Sequence, residues 1–165
     1  MKSRYTLFTI IAMSGIIIDQ ITKIAVDRSM QLFDSIPIIE HFFHLTYVRN
    51  RGAAFSFLSN ASWRLPFFIT VSLIAAIVIL VAFQKMRDDQ KLAHTSLALI
   101  FSGAVGNLID RVRLGEVIDF LDVHWYRHHW PAFNVADSLI CVGVFLLAVD
   151  MLLEEKRVKD QIERP

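Results

Sequence analysis

GAVGNLIDRVRLGEVIDFLDVHWYRHHWPAFNVAD, residues 103–137, is the stretch whose reading decides the fold. It begins inside one long apolar segment and ends inside another, with Asp110, Asp119, Asp122 and Asp137 between and at their edges. An ionisable side chain near hydrocarbon is costly to keep, so carboxylates gathered at such a place are read as functional. Spacing on the flanking segments supports this. Gly103, Gly106, Asn107 and Asp110 recur at intervals of three and four and share one helical face. Ser102 and Gly106 make a small-xxx-small pair suited to close packing of membrane helices. Asp137 opens the next apolar run three residues after Asn134, and Asp119 sits in the apolar segment Val117–Phe120 that joins the two.

Composition agrees with a membrane chain. Of 165 residues, 55% are hydrophobic and 20% charged, and mean hydropathy is +0.47; a soluble domain of this length carries fewer apolar and more charged residues. A net charge of +1 provides no basic surface for nucleic acid. Cys141 is the one cysteine and cannot form an internal disulfide. CxxC, HExxH, P-loop and GxSxG patterns are absent, so no cofactor and no metal are expected.

The apolar runs predict a mainly α membrane protein, a single domain over 1–165, with four transmembrane helices at about 7–26, 65–84, 92–110 and 134–153. The first run follows Lys2 and Arg4, as a signal peptide would. It is longer than a signal peptide's apolar region, contains Asp19, Gln20 and Lys23, and is read as a retained span. Asp19 and Lys23 stand four apart on one face and can pair. Two readings stay open: an ion pair at the outer end with Lys23 reaching for the interface, or support for a site at the same depth. Loops at about 28–64 and 111–133 lie on one side. In the first, the β-branched and aromatic stretches Ser35–His44 and Leu45–Phe57 predict a small β-rich segment with a short surface helix. Nine lysines and arginines flank the side holding both termini and seven the other, over much shorter segments, which predicts cytoplasmic termini and an aspartate-rich outer face. Trp63, Trp125, Tyr126 and Trp130 fall on that outer face, as an aromatic belt does.

Two carboxylates held close cannot both ionise cheaply and tend to share one proton. One can then donate a proton while the other takes one from water, the arrangement needed for amide hydrolysis without metal or covalent intermediate. Helix capping and pairing with Arg111 and Arg113 is the plainer account of the same aspartates. Spacing alone does not choose a pair among Asp110, Asp119, Asp122 and Asp137. His124, His128 and His129 include an i, i+4 pair of the kind that ligates zinc on helices, but they alternate with aromatic residues and are read as interfacial.

Five blocks, taken together, carry a resemblance. They are Asp19-Gln20 with Lys23; Asn50-Arg51-Gly52-Ala53-Ala54-Phe55; Gly103 to Arg111; Val117-Ile118-Asp119-Phe120; and Phe133-Asn134-Val135-Ala136-Asp137. In this order, with four spans, the chain resembles bacterial lipoprotein signal peptidase, also called signal peptidase II. The resemblance implies an aspartyl endopeptidase of the bacterial inner membrane that cuts prolipoproteins on the amino side of a diacylglyceryl-modified cysteine. It implies Asp119 and Asp137 as the catalytic pair, and Asp19, Lys23, Asn50, Gly103, Asn107, Arg111 and Asn134 as substrate-binding or supporting residues. Asp110 then reads as structural support that pairs locally, and the role of Arg51 stays open. It also implies globomycin as inhibitor. Membrane lipid is the expected surrounding partner, and a monomer is expected because the polar residues can converge within one chain.

Two other classes fit the composition less well. A proton or cation transporter would prefer carboxylates at mid-bilayer and repeated halves, and the chain has neither. A zinc or serine intramembrane protease lacks its motif here.

Overall fold

A chain in lipid must satisfy its own backbone, so the apolar runs become helices. The computed structural model describes residues 2–52 and 61–162. In chain order the elements are α1 (Lys2–Ser29), β1 (Ser35–Ile39), β2 (Phe43–Asn50), α2 (Arg64–Lys85), α3 (Lys91–Leu114), β3 (Val117–Trp125), β4 (His128–His129) and α4 (Val135–Ile162). Four helices are long and apolar enough to cross a membrane, over Ser3–Ser29, Arg64–Lys85, Lys91–Leu114 and Val135–Arg157. The expected mainly α architecture with a small sheet is therefore present.

The differences from expectation have local causes. The third helix does not end at Asp110 but runs one turn further to Leu114. It stops at Gly115, whose φ of 73° is the left-handed conformation that ends helices. The segment Val117–Phe120 is the start of the nine-residue strand β3. Of the expected outer-face strands, the first closes at Ile39 before a turn, and the second ends at Asn50. The short surface helix does not occur among the described residues between β2 and α2, and residues 53–60 lie outside the description.

Helix α3 packs against α1, α2 and α4. Its membrane-crossing window is 56% buried within the chain, against 6% for α2, which packs against α3 and leaves about half of its residues exposed. Apolar burial gives membrane helices little reason to associate, because lipid tails are as apolar as leucine; close van der Waals approach does. Gly103 supplies that approach. A Cβ there would stand 2.2 Å from the carbonyl oxygen of Ala136 on α4.

The sheet is antiparallel in the order β1-β2-β3-β4, with Val48 opposite Asp119 and Asn50 opposite Val117. Every residue of β1 is exposed, whereas Val117–Phe120 of β3 are all buried. Continuous burial arises because both faces of that strand are covered: Ile118 and Phe120 pack with Val26, Met30 and Tyr47, while Asp119 turns toward α4. Phe133 pairs with Leu121, so the chain enters α4 from alongside β3 and delivers Asn134 next to Asp119.

Candidate active site

The site forms where α1, β2, α3, β3 and α4 meet, each supplying at least one polar side chain. Asp119 is buried. Asn134 Nδ2 donates to its Oδ1 at 2.6 Å and Asn50 Nδ2 to its Oδ2 at 3.0 Å. Both amides are oriented by their other ends. Asn50 Oδ1 accepts from Gly52 N–H at 2.9 Å, and Asn134 Oδ1 accepts from Asp137 N–H at 3.0 Å. Burial pushes the Asp119 carboxyl up to about 7, and the nearby Asp137 carboxylate adds to that.

Asp137 is half-buried and lies in the first turn of α4. Its Oδ2 accepts from the backbone N–H of Asn134 at 3.2 Å while Asn134 caps it in return. This is a reciprocal capping box built from Asn and Asp. Its Oδ1 accepts from Asn107 Nδ2 at 2.8 Å.

Beneath the pair lies a buried ionic cluster. Lys23 Nζ meets Asp19 at 2.9 Å, Asp110 at 3.1 Å and Asn107 Oδ1 at 2.9 Å. Its three protons thus have three acceptors. Lys23 is 1% exposed, so the reading in which it reaches for the interface is corrected. Burial of the ammonium is tolerated because each of its protons has an acceptor, two of them carboxylates. Asp110 is corrected too: it pairs with Lys23, eighty-seven positions away, rather than with Arg111 or Arg113. Its Oδ2 also accepts from Ile118 N–H at 3.2 Å. Asp19 Oδ1 accepts from Ala136 N–H at 2.9 Å.

Arg111 Nη1 and Nη2 make long hydrogen bonds to the carbonyls of Asn107 (3.4 Å) and Gly52 (3.5 Å), and its guanidinium covers the Phe68 ring. Asp137, Asp119 and Asp110 all lie in its field. Arg51, left open by sequence, binds Glu116 at 2.7 Å. Gly103 contributes no polar group and acts by letting α3 and α4 close. All nine site residues named from sequence therefore lie in or directly against this one region. Asp122 does not. Three residues beyond Asp119 on a strand, it points to the other face, where it holds His129 Nδ1 at 2.9 Å. His124 and His129 stack on strands, not on a helix, so the i, i+4 reading fails with its helix. Among the described residues no three His, Cys, Asp or Glu side chains are arranged to hold a metal ion.

Gln20 stands in the first block of the resemblance but is given no role there; in the fold it lies between Asp19 and Asp110.

Comparison with known proteins adds a separate line. Residues 11–153 match the family model described as signal peptidase (SPase) II. The lipoprotein signal peptidases of Geobacter metallireducens and Geobacter sulfurreducens are each 64% identical over 157 residues, covering 95% of this chain and 97% and 98% of theirs. That of Syntrophus aciditrophicus is 49% identical over 94% of this chain and 98% of its own. A solved bacterial membrane enzyme superposes with a TM-score of 0.82 at 35% identity, covering 91% of this chain and 90% of that one.

Proposed function

The chain belongs to the signal peptidase II family, and we propose from that premise that it is a single-domain aspartic endopeptidase in which Asp119 and Asp137 are the catalytic pair. Its family removes signal peptides from prolipoproteins. The substrate we assign is a diacylglyceryl-modified prolipoprotein, cut on the amino side of the lipidated cysteine. The reading is carried by one observation: a buried carboxyl lifted to about 7 stands beside a second, half-buried carboxylate. Near neutral pH such a pair holds one proton between two acids, which is what peptide hydrolysis by water requires.

Asp119 carries the shared proton and gives it to the scissile carbonyl oxygen, while Asp137, on the more open side, takes a proton from the attacking water. The water oxygen bonds to the carbonyl carbon and a gem-diol forms. Collapse of the diol breaks the C–N bond: Asp119 takes back a proton from one of the two hydroxyls, the proton held by Asp137 passes to the departing amine, and the new carboxylic acid ionises to water. One water is consumed. The products are a signal peptide ending in a new carboxylate and a lipoprotein with a free amino group on its cysteine.

The amide groups support this division. Asn50 and Asn134 fix Asp119, and Asn107 fixes Asp137, each by a donor whose other end is engaged. Lys23, Asp19 and Asp110 hold those amides and the adjoining backbone. Arg111 adds positive field at the side where charge develops. The chain works as a monomer in the inner membrane, with both termini cytoplasmic and the pair at the outer face. There a substrate anchored by its acyl chains meets water at the bilayer surface. Globomycin is the inhibitor we assign to this site.

The test is cleavage of a diacylglyceryl-modified prolipoprotein by purified protein in lipid or detergent. Wild type cleaves, survives a chelator and stops with globomycin. Asp119→Asn and Asp137→Asn, both folded, do not cleave. Persistent cleavage by either variant would overturn the assignment.

A further inference from the structure

Outside the proposed machinery, the side chain of Gln20 lies between two buried carboxylates. Its Nε2 stands 3.1 Å from Asp19 Oδ2, 3.1 Å from Asp110 Oδ1 and 3.2 Å from the Gly106 carbonyl. Its Oε1 accepts from Arg113 Nη1 at 3.3 Å. The two carboxylates it spans have matching second contacts. Asp19 holds the N–H of Ala136, the residue before Asp137. Asp110 holds the N–H of Ile118, the residue before Asp119.

We infer that Gln20 is a positioning residue: it ties Asp19 to Asp110 and thereby fixes the separation of the two backbone segments that carry Asp137 and Asp119. This rests on those two aspartates being the reacting pair. The charges explain why a neutral double donor is needed there. Two carboxylates face a single lysine, Lys23, whose three protons are already committed to Asp19, Asp110 and Asn107. An amide satisfies the remaining lone pairs of both acids without adding charge. Remove it, and each carboxylate draws harder on Lys23, which then releases Asn107. Asn107 in turn is what holds Asp137.

Gln20→Met keeps length and loses both donors. The charged groups facing Asp119 are Asp137 from α4, Lys23 from α1 and Arg111 from α3. If the segments spread, the like charge of Asp137 acts on Asp119 from further away. Expected for Gln20→Met is a fall in kcat of about tenfold with KM within about twofold. The alkaline limb of the pH–rate profile moves to lower pH. Gln20→Asn, a shorter amide, recovers part of the rate. Arg113→Met removes only the outer anchor from an exposed position and gives a smaller fall with the limb displaced in the same direction. It carries the test if Gln20→Met fails to accumulate. A rise in KM at unchanged kcat, or an unmoved limb in Gln20→Met or, failing that, in Arg113→Met, overturns the inference. Asp119→Asn and Asp137→Asn are run beside them. If those still cleave, the pair itself is wrong; if they are dead while the glutamine variants behave as wild type, only the positioning role is lost.

Discussion

Replacing Gly103 with alanine tests whether the approach of α3 to α4 sets the geometry of the pair. The new Cβ would lie 2.2 Å from the Ala136 carbonyl oxygen and 2.6 Å from Ile140 Cγ1, whereas ordinary contact begins at 3.4 Å. The carbonyl belongs to backbone and cannot swing aside, so α4 must retreat by up to about 1.2 Å. Asn107 sits one turn along α3 from Gly103, and Asp137 follows Ala136. The same retreat takes their 2.8 Å hydrogen bond to as much as about 4.0 Å, beyond hydrogen-bonding distance. The Ala136 N–H bond to Asp19, at 2.9 Å, opens with it. Overpacking of this kind costs about 1–3 kcal/mol, offset by about 0.5–1 kcal/mol for replacing a helical glycine. A lost hydrogen bond to a carboxylate is worth about 1.5–3 kcal/mol, which converts to roughly a 10- to 100-fold fall in cleavage rate. The assay pairs cleavage kinetics with thermal unfolding in the same detergent. Gly143→Ala is the control. Its Cβ would meet Ile100 Cγ1 at 2.7 Å and the Ser96 carbonyl at 2.8 Å, the same interface about 10 Å further along the helix. It should lower the melting temperature comparably and leave the rate of the folded enzyme near wild type. Wild-type cleavage by Gly103→Ala, or an equal loss in Gly143→Ala, would refute the reasoning.

Two further predictions concern charge. Between about pH 4 and about pH 7 the folded chain keeps a proton on Asp119 that the unfolded chain has released, so stability falls as pH rises through that window. Asp119→Asn removes this dependence and is expected to melt higher than wild type above about pH 7, as thermal unfolding across a pH series would reveal. Lys23→Met leaves Asp19 and Asp110 buried without their cation, a loss of about 3–5 kcal/mol. The variant should accumulate poorly in membranes, and adding Asp110→Asn should recover part of the folded yield on a size-exclusion trace.

The four helices were legible because each is an unbroken apolar run and because Gln84–Lys91 punctuates the second and third. The end of α3 was misplaced because a carboxylate looks like a boundary, whereas the physical stop is Gly115. The pairing of Asp119 with Asp137 was not legible from spacing. It depends on Phe133 lying against Leu121, a contact between segments with no shared periodicity. Lys23 was ambiguous for a related reason. Its neighbour Asp19 is visible at four residues, but Asn107 and Asp110 lie more than eighty residues away and decide its burial. Asn107 and Asn134 stand at helical spacings from Asp110 and Asp137, but spacing gives an amide no role, and their roles came through the resemblance. The i, i+4 interval of His124 and His128 has meaning on a helix and none on a hairpin, which is where these residues lie.

The contact between Lys23 and Asp19 also bears on how the protein is made. During synthesis α1 enters the bilayer long before α3 exists, and an unaccompanied lysine at that position would resist insertion. With Asp19 one turn earlier at 2.9 Å, the first helix brings its own counter-ion and can enter as a neutral unit. Asp110 and Asn107 arrive later and take up the two protons of Lys23 that the first pairing leaves over. The first helix is thus neutralised from within, and the third supplies the rest of the shell around its lysine.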